Sequence, residues 1–138
     1  MHRDIPELLL HLFILATIVV FRDQFGISDI LINIFSAVIT ISGIVILVAG
    51  RLTIDSTLSS KKAKLCTKGI YSKIRHPVYV GRIMFFLGLT LLFKSAIGIF
   101  LVITIFMPYH INKIKKEEQE LIKIFGRGYL NYRKKTIF

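Results

Sequence analysis

The side chains best suited to chemistry cluster where an apolar run begins. Arg75, His76 and Tyr79 surround Pro77, and a largely apolar run starts at Val78. Proline suits the first helical position and the residue before it avoids helical backbone, so a helix is predicted to start at about Pro77. The free N–H groups and positive dipole end of such a helix suit a carboxylate or phosphate. The same side chains also fit interfacial anchors, with Tyr79 in an aromatic belt.

A second set of candidate groups lies in the polar tail, which is predicted to be helical from His110 to about Phe125. Its apolar residues recur every three or four positions and form one stripe: Ile111, Ile114, Leu121, Ile122 and Phe125. At 100° per residue, Glu118 projects from the middle of this stripe and Glu117 from its edge. A carboxylate on a buried face needs a partner. The alternative is a solvated interfacial helix with acids on its surface.

The composition indicates what kind of element must position these groups. The 138-residue chain is 54% hydrophobic and yet carries a formal charge of +11, with a mean hydropathy of +0.66. These values are typical of a small integral membrane protein. Most of the 19 Lys and Arg residues fall in two blocks, 51–82 and 110–135. Basic blocks beside apolar runs indicate topology signals and contacts to anionic lipid, and no nucleic-acid-binding motif accompanies them.

Four apolar runs predict the architecture: residues 5–21, 30–50, 78–93 and 96–109. The second is the clearest transmembrane helix, and the last two, joined by Lys94-Ser95, indicate an antiparallel hairpin. The predicted fold is an all-α integral membrane protein with about four transmembrane helices, including this C-terminal hairpin, plus a cytoplasmic interfacial C-terminal helix. Placing both basic blocks on the cytoplasmic side puts the 22–29 loop outside and the N-terminus inside.

Polar residues within the first two runs have structural interpretations. Glu7 and His11 are four residues apart on one helix face, so they are able to pair. Near the end of a span, however, they are expected to be solvated at the interface. The second run contains small and polar residues that are expected to support helix packing: Asn33, Ser36, Thr40, Ser42 and Gly43.

Common catalytic and metal-binding motifs are absent from the sequence. Cys66 is the only cysteine, which excludes an intramolecular disulfide and a multi-cysteine metal site. The four histidines show no HExxH spacing, and no P-loop, dinucleotide-binding or nucleophile-elbow motif occurs. No metal is therefore expected. Any chemistry must use a site assembled between helices at the cytoplasmic interface.

Three stretches, taken in order, resemble one known family. They are Lys64–Tyr71 (KLCTKGIY), then Arg75-His76-Pro77 with Tyr79 and Gly81, then Glu117-Glu118 with Phe125-Gly126, Tyr129 and Tyr132. Together they resemble the isoprenylcysteine carboxyl methyltransferases, and the related membrane phospholipid N-methyltransferases share much of the pattern. The resemblance covers residues 61–135, just over half of the chain.

The resemblance implies S-adenosyl-L-methionine as methyl donor, bound between the connector, the hairpin and the C-terminal helix. The residues it implies for cofactor binding are Lys64, Leu65, Cys66, Thr67, Lys68, Gly69, Ile70, Tyr71, His76, Tyr79, Met84, Phe85, Phe86, Leu87 and Glu117. The candidate catalytic residues are His76, Glu117 and Glu118. Glu117 matches the cofactor-binding acid of the family, whereas periodicity singles out Glu118. Lys113 matches a substrate-binding arginine, and lysine lacks that residue's bidentate recognition of a carboxylate.

The resemblance also implies one domain, residues 1–138, with a two-helix part at 1–60 and a cofactor-binding core at 61–138. Two departures stand out. Lys135-Thr136-Ile137-Phe138 replaces the proline- and arginine-containing segment that often follows the last tyrosine in this family. The N-terminal half has fewer spans than the larger members carry.

The leading functional hypothesis is O-methylation of a carboxylate on an isoprenylcysteine-like or other lipophilic substrate. A sulfonium methyl group is already activated and a carboxylate is already a nucleophile, so alignment and exclusion of water carry much of the rate. Three alternatives stay open: a phospholipid-amine N-methyltransferase, a membrane reductase, and a non-catalytic scaffold that binds anionic lipid. The expected partners are membrane lipids and a prenylated or lipophilic small molecule. The expected location is the inner membrane of a prokaryote, with the site on the cytoplasmic side.

Overall fold

The computed structural model describes residues 5–26, 29–58 and 65–137, without the side chains of 55–58. Within these ranges the chain is helical: α1 is Ile5–Val20, α2 Ile30–Leu58, α3 Pro77–Leu92, α4 Ala96–Leu101, α5 Met107–Phe125 and α6 Arg127–Lys135. A 3₁₀ turn, Gly69–Ser72, precedes α3, and a π-helical segment, Val102–Phe106, joins α4 to α5. The described residues form a single isolated β-bridge, between Ile74 and Ile137.

Two helices are long and apolar enough to cross a membrane, which supports the predicted all-α membrane class. They are Ile30–Ile54 and the continuous Ala96–Phe125 helix, whereas α1 and α3 are shorter apolar helices. On α2, Leu31 is 70% exposed and Phe35 62% exposed. Exposed large apolar side chains on a long helix are what a lipid environment favours.

Two helix boundaries differ from the sequence prediction. α2 continues to Leu58 rather than ending at Gly50, because neither proline nor glycine follows before that point. The predicted fourth span, 96–109, and the predicted tail helix, His110 to about Phe125, form one continuous helix from Ala96 to Phe125. The π-helical segment ends at Phe106, two residues before Pro108. Proline lacks the N–H that an α-helix would bond, and a π-helical irregularity is a common way for a helix to continue past such a position.

Glycines allow α2 and α3 to pack with their backbones almost in contact. A Cβ added to Gly81 would lie 2.5 Å from the amide nitrogen of Leu47, and one added to Gly43 would lie 2.5 Å from that of Phe85. Ser36 and Thr40 are buried on the same side of α2. The predicted packing role of these small residues is confirmed, and this antiparallel pair fixes where α3 begins.

The hairpin of α3 and α4 packs on α1 through a small apolar core. Its buried members are Ile14, Ile18, Ile83, Phe86, Val102 and Phe106. Lys94 takes a left-handed φ of 54° at the turn, and the Ser95 side chain accepts a hydrogen bond from the Gly98 amide at 3.1 Å. The predicted tight turn at Lys94-Ser95 is therefore present, with Ser95 as the N-cap of α4.

The C-terminal end returns to the segment before α3. α5 stops at Phe125 as predicted, and Gly126 takes a φ of 51°. A further helix that the sequence did not predict, α6, follows. Beyond α6, the Ile137 amide donates to the Lys73 carbonyl at 2.8 Å and the Arg75 amide donates to the Ile137 carbonyl at 3.1 Å. The tail thus closes over the residues that precede Pro77.

Candidate active site

A cavity of about 440 Å³ lies between the start of α3, α5, α6 and the segment that precedes α3. Side chains from the first turn of α1 and from the latter part of α2 complete its wall, namely Glu7, Arg51 and Ile54. Segments that are far apart in the sequence therefore meet around one space, and most of the lining residues belong to the three predicted motif stretches.

The segment before α3 contributes part of the predicted cofactor loop. Leu65, Cys66 and Tyr71 line the cavity, whereas Thr67 and Lys68 are exposed. Of the remaining loop positions, Ile70 is half-buried and Gly69 has a left-handed φ of 56° beside Thr53. Lys64 lies outside the described residues. The part of the loop that the structure describes thus forms one side of the cavity.

Two tyrosines close the side where the tail returns. The Tyr132 hydroxyl donates to the Tyr71 carbonyl oxygen at 2.7 Å. This hydrogen bond connects α6 to the 3₁₀ turn. Burial raises the pKa of Tyr132 to about 12, and burial likewise raises the pKa of Tyr71 above its usual range. Both phenols therefore stay protonated at neutral pH and present aromatic surface to the cavity.

His76 lies at the entrance to α3 and is almost completely buried. Its Nε2 is 3.4 Å from Oε1 of Glu118, and its Nδ1 is 4.0 Å from Oε2 of Glu117. Burial lowers the pKa of His76, and the two carboxylates only partly offset that effect. The imidazole is therefore neutral at pH 7. A carboxylate partner requires the proton on Nε2, which leaves the Nδ1 lone pair on the side of Glu117.

The two adjacent acids have different environments. Glu117 lines the cavity with a side chain that is 41% exposed, beside Tyr79 and Lys113. Glu118 is 13% exposed and pairs with Nε of Arg75 at 3.1 Å and, more loosely, with Arg133 at 3.7 Å. Glu118 is thus the carboxylate on the buried face, as periodicity indicated, and it has the partners that burial requires. Glu117 is the one that faces the open space.

Four positions that the family resemblance assigned to the cofactor lie elsewhere. Among the described residues, the cavity wall includes none of Met84, Phe85, Phe86 and Leu87. Phe86 is 5% exposed within the apolar core, where its ring lies 4.6 Å from that of Phe106. Phe85 and Leu87 pack against the same core. All four positions lie two to five residues beyond Arg82, the last residue of α3 in the described cavity wall.

Glu7 does not lie in solvent at the interface, so that expectation is wrong. Its carboxylate accepts hydrogen bonds from Arg82 of α3 and Lys113 of α5, and its side chain is 17% exposed. His11 donates from Nδ1 to the backbone carbonyl of Glu7 rather than pairing with the carboxylate. Arg82 was missed in the sequence, although it follows Tyr79 by three residues and helical spacing places both on one face.

The same cluster contains three possible metal ligands. Ligand atoms of Glu7, His11 and His110 all lie within 4.8 Å of one another. However, Arg82 donates to Glu7 and contacts Nε2 of His110 at 3.2 Å, and Lys113 also binds Glu7. Two cationic side chains thus already occupy the positions next to the candidate ligands. A metal ion would have to displace them, so the charge balance favours an anion here.

The residues around the cavity fit a nucleoside that carries a sulfonium. Tyrosine rings and apolar side chains offer surface to a base and to a soft cation, and Glu117 offers acceptors for hydroxyl or ammonium groups. The Tyr129 side chain also lines this space, where its buried hydroxyl lies beside Glu118.

Comparison with known proteins identifies the class. The family model described as phospholipid methyltransferase matches residues 22–128, which is most of the chain and includes the three motif stretches except Tyr129 and Tyr132. The chain therefore belongs to this family of methyltransferases. A methyl donor is implied by that membership.

Similar individual proteins include several protein-S-isoprenylcysteine O-methyltransferases. The chain is 35% identical over 82 residues to a protein-S-isoprenylcysteine O-methyltransferase of Schizosaccharomyces pombe, covering 57% of this chain and 35% of that protein. It is 35% identical over 72 residues to the Xenopus laevis enzyme of the same name, covering 52% and 25%. The human one is 33% identical over 73 residues, with the same coverage. The resemblance is confirmed, and the match spans only about a quarter to a third of these relatives.

Proposed function

We propose that this protein is a membrane methyltransferase that uses S-adenosyl-L-methionine to O-methylate a carboxylate on an isoprenylcysteine-like or other lipophilic molecule. The observation that carries the proposal is the meeting of His76, Tyr79 and Glu117 around one cavity, with the loop from Leu65 to Tyr71 on its other side. The similarity to isoprenylcysteine O-methyltransferases adds support. The region 61–138 would be the cofactor-binding core and 1–60 the two-helix part of a single domain.

Each group has a role that its position supports. Glu117, half-exposed in the wall, binds a polar group of the cofactor, and the neutral rings of Tyr71 and Tyr132 pack on its apolar parts. When bound, the cofactor supplies an activated methyl group on a positively charged sulfur. Lys113 attracts the acceptor carboxylate, which is already ionised and needs no base. The remaining task of the chain is to align the two partners and exclude water.

The balance of the reaction is simple. A bond forms between a carboxylate oxygen and the methyl carbon while the carbon–sulfur bond breaks, and the bonding pair stays on sulfur. A cation and an anion are converted into a neutral thioether and a neutral ester. Because charge disappears, a site with low polarity around the reacting atoms favours the transition state over the separated ions. His76 and Glu118 then serve to hold the start of α3 against α5.

The membrane arrangement follows from the same proposal. With α1 and α3 counted as short spans beside the two longer helices, the chain crosses the membrane four times. The basic residues of both blocks then face the cytoplasm, where the soluble cofactor is available. The lipophilic acceptor enters laterally from the inner leaflet of what we expect to be a prokaryotic plasma membrane. The 16-residue length of α3 keeps the cavity close to the surface.

Calorimetric titration of the detergent-solubilised chain with S-adenosylhomocysteine tests this proposal. Micromolar-range binding is expected, and Glu117→Gln or His76→Ala should weaken it by roughly tenfold or more, equivalent to about 1.4 kcal/mol. Glu120→Gln is the matched control, because Glu120 is an exposed acid on the same helix and lies outside the cavity wall. Absence of saturable binding by the unmodified chain would contradict the proposal.

The second candidate is phospholipid-amine N-methylation, which is favoured by the description of the matching family. An ammonium acceptor must lose a proton before it attacks, and the Nδ1 lone pair of His76 is a suitable base. Labelled methyl donor separates the two reactions, because an ester releases its label in mild base and a methylamine keeps it. A product stable to base would replace the first candidate with the second.

A further inference from the structure

One carboxylate in the cavity wall comes from outside the motif stretches. Glu7, in the first turn of α1, is bound by Arg82 of α3 and by Lys113 of α5. All three residues line the cavity. An internal anion thus sits between two cations at a position that opens onto the space where the acceptor would bind.

The described cavity wall carries more positive than negative charge. Its charged side chains are Arg51, Arg75, Arg82 and Lys113, against Glu7 and Glu117. Arg82 also contacts Nε2 of His110 at 3.2 Å, and Nδ1 of that ring donates to the Phe106 carbonyl at 2.9 Å. A wall with this excess of positive charge attracts an anionic head group.

Arg82 is held in place without Glu7. It contacts His110 through Nη1 at 3.2 Å, and its guanidinium lies 5.7 Å from the centre of the Tyr79 ring. The first turn of α1 makes few contacts within the described part of the protein, since Ile5 and Leu8 are 68% and 54% exposed. If Glu7 withdraws, the guanidinium stays where it is. Because the guanidinium is already held in position, it loses little conformational entropy when it binds a carboxylate.

We propose that Arg82 and Lys113 form the seat for the carboxylate of the acceptor, and that Glu7 occupies this seat until the acceptor displaces it. The inference rests on the proposed O-methyltransferase function and adds Arg82 and Glu7 as specificity-determining residues. It also gives a reason for product release. Methylation converts the bound anion into a neutral ester, which no longer competes with the Glu7 carboxylate, so Glu7 returns and the ester leaves.

The proposal predicts opposite effects for acceptors of opposite charge. Removing the charge of Glu7 removes a competitor for an anionic head group, so an acid should bind more tightly. For an ammonium head group, Glu7 instead offers an opposite charge beside Arg82, so its removal should weaken binding. A neutral head group need not enter the seat and should respond little.

Three probes with the same tail measure these effects in the full chain. They are N-acetyl-S-farnesylcysteine, its methyl ester, and S-farnesylcysteamine, titrated in detergent with S-adenosylhomocysteine present at saturation. For Glu7→Gln, the acid should bind roughly tenfold more tightly and the ester within about twofold of the unmodified chain. For Arg82→Gln, the acid should bind at least about tenfold more weakly. Glu120→Gln is the control for a lost negative charge on the tail helix.

Affinity for S-adenosylhomocysteine separates the two proposals. If the unmodified chain does not bind it, the proposed function fails and this inference fails with it. If every variant binds it normally but Glu7→Gln leaves the affinity for the acid unchanged or lower, only the inference is overturned. Tightest binding of the cysteamine by the unmodified chain, lost in Glu7→Gln, would also overturn it and would indicate an amine acceptor.

Discussion

Two carboxylates in this protein have nearly the same surroundings and different consequences. Glu118 pairs with Arg75 and Arg133, and Glu7 pairs with Arg82 and Lys113. Their side chains are similarly buried, at 13% and 17% exposed. Each network also includes a buried histidine. Neither burial nor the number of cations therefore separates the two acids.

The difference lies in which carboxylate faces the cavity. Glu118 connects α5 to Arg75, and Arg75 in turn donates to the carbonyl oxygens of Arg133 and Thr136 at 2.9 and 3.0 Å. Glu118 is not part of the described cavity wall, and its partners hold the tail against the start of α3. Glu7 joins the first turn of α1 to α3 and α5, and it lines the cavity. The same chemistry thus gives a structural ion pair in one place and an exchangeable one in the other.

The largest effect is expected for Glu118→Gln. Removal of this charge leaves Arg75 without its counter-ion at the junction of α5, α6 and the start of α3. We expect a loss of about 2–3 kcal/mol in unfolding free energy, less than for a fully buried pair because Arg133 is half-exposed. Thermal unfolding of the purified chain in detergent measures it. Glu120→Gln should lie close to the unmodified chain, and equal stability of the two variants would contradict a structural role for Glu118.

The next effect is the pH dependence of stability that His76 causes beside Glu118 and Arg75. Because burial lowers the pKa of His76 in the folded chain, the unfolded chain binds more protons just below its ordinary pKa of about 6.5. The stability that neutral His76 contributes is therefore fully present above about pH 6.5. The free energy of unfolding falls as the pH drops from there towards the pKa of His76 in the folded chain. The slope from this one group is at most about 1.4 kcal/mol per pH unit.

His76→Gln isolates that contribution. Between about pH 6.5 and 5.5, the unmodified chain should lose thermal stability faster than the variant, in matched detergent and salt. The comparison removes the effects of the other histidines, since both chains retain them. A steeper loss in the variant would mean that Glu117 and Glu118 outweigh burial and raise the pKa of His76 instead.

A smaller effect on stability is expected for Glu7→Gln. The first turn of α1 makes few other buried contacts, so its loosening remains local. We expect a decrease of about 1 kcal/mol or less, in the range of a partly solvated ion pair. Thermal unfolding in the same detergent gives the value. A loss as large as that of Glu118→Gln would show that Glu7 is structural, which would remove the contrast between the two networks.

The fold was predictable where local signals act alone. Pro77 marks the start of α3, Lys94 and Ser95 mark the hairpin turn, and the small residues around Gly43 mark the contact face of α2. Sequence spacing did not show that the fourth apolar run and the tail form one helix. That helix continues past Pro108 by way of the π-helical segment Val102–Phe106. α6 was missed because Gly126 and Gly128 signal an end and not a restart.

The site was predictable only as far as the motif reached. Helical periodicity found the buried acid, Glu118, and family resemblance found Glu117, which faces the cavity. Neither signal could connect Glu7 to Arg82, since the two residues belong to different helices and pair only through tertiary packing. The acid was assigned to solvent because it lies near the end of a predicted span, and its local neighbour His11 was expected to be solvated with it. Contacts between distant helices are the part of a membrane site that a single sequence does not encode by spacing.

The smallest effect is expected for Tyr132→Phe, in the tail helix α6. This change removes one hydrogen bond, from the Tyr132 hydroxyl to the Tyr71 carbonyl, and keeps the ring that faces the cavity. We expect a loss of about 0.5 kcal/mol, because the exposed edge of the turn allows water to replace the bond. Tyr109→Phe, outside the cavity wall, is the control for a lost hydroxyl.

If α6 only covers the cavity, affinity for S-adenosylhomocysteine should weaken slightly in Tyr132→Phe and not in the Tyr109→Phe control. A fall as large as that of Glu117→Gln would mean that the tail helix binds the cofactor directly.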